Sequence, residues 1–407
     1  NAITLSANST ITNAGSSSVT LSGGITSANS QTNTLTIAGS SPITLSGIIG
    51  NGSSGGGIAL TSTNNSTTLS NTNTYSGNTT INTGGVLVAS AAGNLGTGTL
   101  VFNGGNLNLT TGAANFTLSN AISLLSNAAI TNNGTTTATF SGAITSGNAQ
   151  TNTLTLAGSG PMIFSGAITN GSNSGVIAVT QTNTDQVTLS SLNNTYTGAT
   201  TLNAGTFYVT GDLGGVTAVT LAGSAIYKLG HNNAIGSLAG SSTGSTVNLQ
   251  SYTLTVGTAG SVASTTYAGL ITGTGTVLMQ GGTLTLSNAS NNYSGGTLQV
   301  GGTINGAGVV NFIASGAALN LSGTYTLGAA AVVASLSGSG ILNLNGYNIY
   351  IGTSGSVAST TYSGNISGAG SLNLLGGTLN LSGSNSYTGG TYISGGTLVM
   401  GSTTGLP

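Results

Sequence analysis

Polar and apolar residues alternate strictly along much of this chain. "TLTI" at Thr34 to Ile37, "TLTL" at Thr153 to Leu156 and Thr283 to Leu286, and "TLTV" at Thr253 to Val256 show the period. Hydroxyls point one way and Leu, Ile or Val the other, which is the pattern of a strand with one face buried. Each run is short and ends at a Gly- or Asn-containing turn such as "NGG", Asn103 to Gly105. No stretch carries a capped apolar stripe of helical period, so the pattern predicts an all-β chain.

A second pattern lies above the alternation: Leu or an aromatic, a small residue, Gly, any residue, then Ile. It reads "LSGGI" from Leu21, "LSGII" from Leu45, "FSGAI" from Phe140 and Phe164, "YAGLI" from Tyr267 and "YSGNI" from Tyr362. The spacings 45 − 21 = 24 and 164 − 140 = 24 give a period in the twenties, which predicts a solenoid. Longer blocks recur as well. "QTNTLTIAGSSPITLSG" from Gln31 returns as "QTNTLTLAGSGPMIFSG" from Gln150, 119 residues on, and "SVASTTY" at Ser261 returns at Ser356, 95 residues on. Residues of about 3–90 thus correspond to 116–210, and about 248–306 to 343–401. Both offsets lie near multiples of 24, as duplication of whole coils requires. The expectation is a parallel β-solenoid over 1–407, one continuous domain of roughly 17 coils and about 80 Å in length.

Composition removes most functional classes. Of 407 residues, 70 are Gly and only 1% are charged: Asp185, Asp212 and Lys228, with His231 as the one histidine. Disorder goes with low hydrophobicity and high net charge, whereas this chain is 37% apolar with net charge −1. One lysine excludes a basic surface for nucleic acid. Without cysteine there is neither a disulfide framework nor a thiolate metal site. "LGAAAVVASL", Leu327 to Leu336, is half the length of a membrane span, and the opening "NAITLSANST" carries no leader pattern, as in a processed protein or a piece of a longer one.

One phrase occurs four times: "NTYSGNTTINTGGVLV" with Tyr75, "NTYTGATTLNAGTFYV" with Tyr196, "NNYSGGTLQVGGTI" with Tyr293 and "NSYTGGTYISGGTLVM" with Tyr387. Gly stands two residues after each Tyr (Gly77, Gly198, Gly295, Gly389) and nine after it (Gly84, Gly205, Gly302, Gly396), with Thr at the fourth place. The phrase resembles the passenger-associated β-strand repeat of autotransporters. The resemblance implies a right-handed β-helix exported to a bacterial cell surface, in which the repeat assists export and folding and carries no catalysis. These twelve residues are the structural-repeat candidates, with Tyr closing a face and Gly turning a corner.

Candidate chemistry is sparse. A polysaccharide-cleaving β-helix needs convergent carboxylates, and the two here are 212 − 185 = 27 residues apart, about one coil plus three residues. "KLGH" sets Lys228 near His231, and solvated turn residues are the reading favoured for this group. No catalytic residue, metal or cofactor is expected. Scarce charge removes the usual guards of open strand edges, so self-association is the expected partnership and a host-cell or matrix surface the alternative. The overall expectation is a structural extracellular stalk or fibre, with an adhesin passenger as the second reading.

Overall fold

The computed structural model describes residues 1–407 apart from 111, 113–115, 173, 289, 294–296, 300–302, 308–317, 322–323, 329 and 354. Among the described residues it is an all-β parallel solenoid of about 16 turns with almost no helix, and its coils average roughly 22 residues. The chain divides into two compact units, Asn1–Gly211 and Asp212–Pro407.

In the first unit each coil lays down up to three strands, and every strand pairs in parallel with its counterpart one coil away. A three-stranded ladder joins Ile3–Leu5, Ile25–Ser27 and Ile49–Gly50, with Ile3, Ile25 and Ile49 in register. An eight-stranded sheet runs from Ser9–Asn13 to Ile168–Thr169. A third ladder starts at Val19–Leu21 and includes Ala128–Asn132, Thr151–Gly158 and Val176–Gln181. A fourth begins at Phe116–Leu118 and continues through Ala138–Phe140, Met162–Phe164 and Gln186–Leu189. Strand alternation puts one side chain in two inside: Leu35 and Ile37 are fully buried, while Thr34 and Thr36 between them face outward. Because coils stack in register, like residues fall on like. Phe140 and Phe164 lie face to face with centroids 4.7 Å apart, and Phe116 lies 6.2 Å from Phe140.

The second unit repeats the plan. Its main sheet has nine strands from Asn233–Ile235 to Thr397–Met400, beside a six-stranded sheet from Ser264–Tyr267 to Asn365–Ser367. A four-stranded sheet runs from Ala331–Val333 to Thr391–Ile393. Another ladder pairs Ile226–Leu229 with Thr246–Asn248, then Leu270–Gly273 with Asn292–Tyr293.

Two quantities differ from the sequence expectation. Coil length is not fixed at 24: it ranges from 335 − 318 = 17 residues to 35 − 9 = 26. The long duplications are also not whole numbers of coils. Five coils carry the ladder from Asn33–Gly39 to Ile144–Ser146. The copy of Asn33–Gly39 is the following strand, Thr151–Gly158, which belongs to a different sheet. In the second unit Ser264–Tyr267 lies in the six-stranded sheet and its copy Ser359–Tyr362 in the nine-stranded one. A shift by one face is tolerated because each face alternates inward and outward in the same way; only a one-residue slip would invert the pattern.

Candidate functional site

The phrases of Tyr75, Tyr196 and Tyr387 fold alike, and their local chemistry explains the residue types. Tyr75, Tyr196 and Tyr293 are fully buried and Tyr387 is 1% exposed. A buried phenol needs a hydrogen-bond partner, which the Thr four residues on supplies: Tyr75 Oη lies 2.7 Å from Thr79 Oγ1 and Tyr196 Oη 2.9 Å from Thr200 Oγ1. Tyr387 and Thr391 make the same bond. Burial pushes the phenols of Tyr75, Tyr196 and Tyr387 above their ordinary ionisation range, and the threonine bond only partly offsets this.

The two glycine positions do different work. Gly84, Gly205 and Gly396 have φ of +80°, +58° and +80°, the left-handed corner that a side chain disfavours. Gly77, Gly198 and Gly389 do not. Their N–H groups donate to the carbonyls of Ile58, Ile177 and Gly370 in the preceding coil at 3.0, 3.0 and 3.1 Å. A Cβ on Gly77 or Gly198 would come within 2.5 or 2.3 Å of those oxygens, and one on Gly389 within 2.5 Å of the Gly370 carbonyl carbon. The second set lets two coils touch; the first turns a corner, with open space at Gly84 and, for a Cβ at Gly205 or Gly396, a close approach as well, 2.4 Å from the Asn183 oxygen and 2.2 Å from the Gly377 oxygen. Gly295 and Gly302, the corresponding pair after Tyr293, lie outside the described residues.

Sequence reasoning missed the residue two places before each Tyr, which is Asn in all four phrases: Asn73, Asn194, Asn291 and Asn385. These side chains are 4%, 4%, 0% and 8% exposed. Each Oδ1 accepts the backbone N–H of an isoleucine in the coil before it: Ile49 at 2.7 Å, and Ile168, Ile271 and Ile366 at 2.8 Å. Those isoleucines close the modules "LSGII", "FSGAI", "YAGLI" and "YSGNI". The signal was the unbroken Asn–x–Tyr spacing, masked by the abundance of Asn elsewhere.

The few charged groups form no reaction centre among the described residues. His231 Nδ1 lies 3.7 Å from Asp212 Oδ1, with both side chains nearly half exposed, and also 2.8 Å from the Asn232 carbonyl. Lys228 is half-buried on the strand Ile226–Leu229. Asp185, in the first unit, is exposed and accepts the Gln186 N–H at 2.7 Å. Among the described residues no three His, Cys, Asp or Glu side chains gather as a metal site would require. No described helix is long and apolar enough to cross a membrane.

The buried-Tyr coils of this parallel β-solenoid are also where comparison with known families finds a match. Residues 62–89, 179–209, 280–305 and 376–400 match the passenger-associated-transport-repeat, one Tyr phrase in each. No curated protein and no solved structure matches the chain. These repeats are those of autotransporter passenger-type β-helices, whose solenoids are generally structural or adhesive.

Proposed function

We propose that this chain is a structural stretch of a secreted or cell-surface protein, a nearly uncharged β-solenoid that self-associates into a stalk or fibre. The observation that carries the reading is the position of the four matched repeats: each lies within the solenoid itself with its Tyr in the core, and Gly77, Gly198 and Gly389 sit at coil contacts. Self-association is supported by the outer strand faces, which carry Thr, Ser, Asn and apolar side chains with almost no charge to keep copies apart. Sedimentation velocity of the purified chain, with negative-stain microscopy, at pH 7 and about pH 3 is the test. Regular assemblies at both pH values are expected, since charge plays no part in the contact. Monodisperse monomers at high concentration under all conditions would end the self-association reading.

One observation favours display of a binding surface as a second reading. The duplicated "SVASTTY" places Val262 and Val357 just before the strands Ser264–Tyr267 and Ser359–Tyr362, each 94% exposed. Host-cell or glycan-array binding by the isolated chain, lost on Val262→Ser with Val357→Ser, would shift the assignment to an adhesive passenger.

A further inference from the structure

The module ending in Ile has two fates. Where another such module follows in the next coil, the Ile N–H donates to a backbone carbonyl of that coil: Ile25 to Ile48 at 2.9 Å and Ile144 to Ala167 at 2.8 Å. The ladder then continues through a further strand. Where a Tyr phrase follows, the same N–H donates instead to an asparagine side chain, as for Ile49, Ile168, Ile271 and Ile366. The residue after that Asn completes the substitution, its own N–H donating to the isoleucine carbonyl: Thr74 to Ile49, Thr195 to Ile168 and Ser386 to Ile366, at 2.9, 3.0 and 2.8 Å.

Three of these ladders stop there. The three-stranded sheet ends at Ile49–Gly50, the eight-stranded at Ile168–Thr169 and the six-stranded at Asn365–Ser367. After Leu270–Gly273 the last described strand of its ladder is Asn292–Tyr293, where the Asn291 side chain joins the ladder rather than ending it. We infer that Asn73, Asn194 and Asn385 are ladder-terminating residues, each of which stands in for a strand backbone and ends one face of the solenoid at a set coil.

The chemistry requires asparagine in particular. A buried strand edge leaves N–H and C=O groups that must be paired. Asn offers an amide, the same group as the backbone, with an acceptor for the coil before and a donor for its surroundings. The donor is used in three of the four: Asn73 Nδ2 reaches the Asn94 carbonyl and Asn385 Nδ2 the Gly405 carbonyl, both at 2.6 Å in the following coil, while Asn194 Nδ2 donates to Ser191 at 3.1 Å; Asn291 Nδ2 finds no partner among the described residues. Asn73 and Asn385 thus each stitch three successive coils.

Hydrogen exchange on the full chain tests the assignment. Asn73→Ala should speed exchange of the Ile49 amide about tenfold and leave Ile25 and Ile168 unchanged; Asn194→Ala should do the same for Ile168 alone. Asn8→Ala, which removes an exposed acceptor for Thr34, is the control and should leave Ile49 as it was. Asn73→Asp adds a readout that packing alone does not move. No Asp, Glu, Lys, Arg or His lies between residues 1 and 184, and burial raises the pKa of an introduced carboxyl above its unfolded value. Protonated, it accepts and donates as Asn does; ionised, it faces the Asn94 carbonyl as a second acceptor. Protection of Ile49 should therefore be present at pH 3 and lost as pH rises through the raised value; if the variant unfolds at pH 7, refolding at pH 3 counts as the same result. Unchanged Ile49 exchange in Asn73→Ala, or equal behaviour of Asn73→Asp at both pH values, overturns the inference.

Discussion

Glycine at two places in one phrase answers two different constraints, and the two should separate by experiment. Gly84→Ala forces a side chain into the left-handed region with open space around it, which costs about 1 kcal/mol. Gly77→Ala instead drives a Cβ to 2.5 Å from the Ile58 oxygen; relief needs the coils to part, and overpacking of this kind costs roughly 1–3 kcal/mol. Thermal unfolding should therefore rank Gly77→Ala as the more damaging, and the reverse order would mean that the corner outweighs the contact. Tyr196 makes a similar comparison possible. Tyr196→Phe loses the bond to Thr200, about 1 kcal/mol. Tyr196→Ala empties a fully buried ring site and should cost roughly 3–5 kcal/mol.

At the level of strands and coils, alternation was legible throughout. "TLTI" and its relatives specify which side chain goes inward, and the buried Leu35 and Ile37 follow from it. The apolar residue that opens "FSGAI" falls on its own copy one coil away, which is why Phe140 and Phe164 stack. Phe140→Ala should cost about 3–5 kcal/mol, whereas Thr139→Ala on the outward side of the same strand should stay within about 0.5 kcal/mol. Coil length was less legible. A spacing of 24 between two modules describes those coils, but a coil in which a Tyr phrase replaces a strand closes sooner, as from Leu60 to Thr79, 79 − 60 = 19 residues. The role of Asn73 and its kin was also hidden. Spacing reveals which residue recurs but not whether its amide pairs with the coil before or with water.

Across the whole molecule the scarcity of ionisable groups sets the response to solvent. Stability depends on pH only through groups whose proton affinity changes on folding. The groups with a clear upward change are buried tyrosines, Tyr75, Tyr196, Tyr267, Tyr325 and Tyr362 among them, each raised chiefly by burial. A raised folded-state pKa means stability fully present below the unfolded value, about 10 for tyrosine, and lost as pH climbs toward the folded one. Unfolding temperature should thus stay flat from about pH 3 to pH 9 and fall only in strong alkali. Added salt should change it little, since few charges exist to be screened. Acid-induced melting near pH 4 would contradict this account. Trypsin has a single lysine to attack, on a strand where it is half-buried, so digestion of the folded chain should yield no fragments while the unfolded chain yields two.

The displacement of duplicated strands onto a neighbouring face has a genetic consequence. In a solenoid that accepts only whole turns, an unequal crossing-over event must land within a narrow range of lengths to leave a folded product. Here Thr151–Gly158 sits in a different sheet from its parent segment, and both copies keep their buried side chains. Recombination can therefore add or delete material in steps of one strand with its turn, so the gene can grow or shrink in smaller increments than a coil.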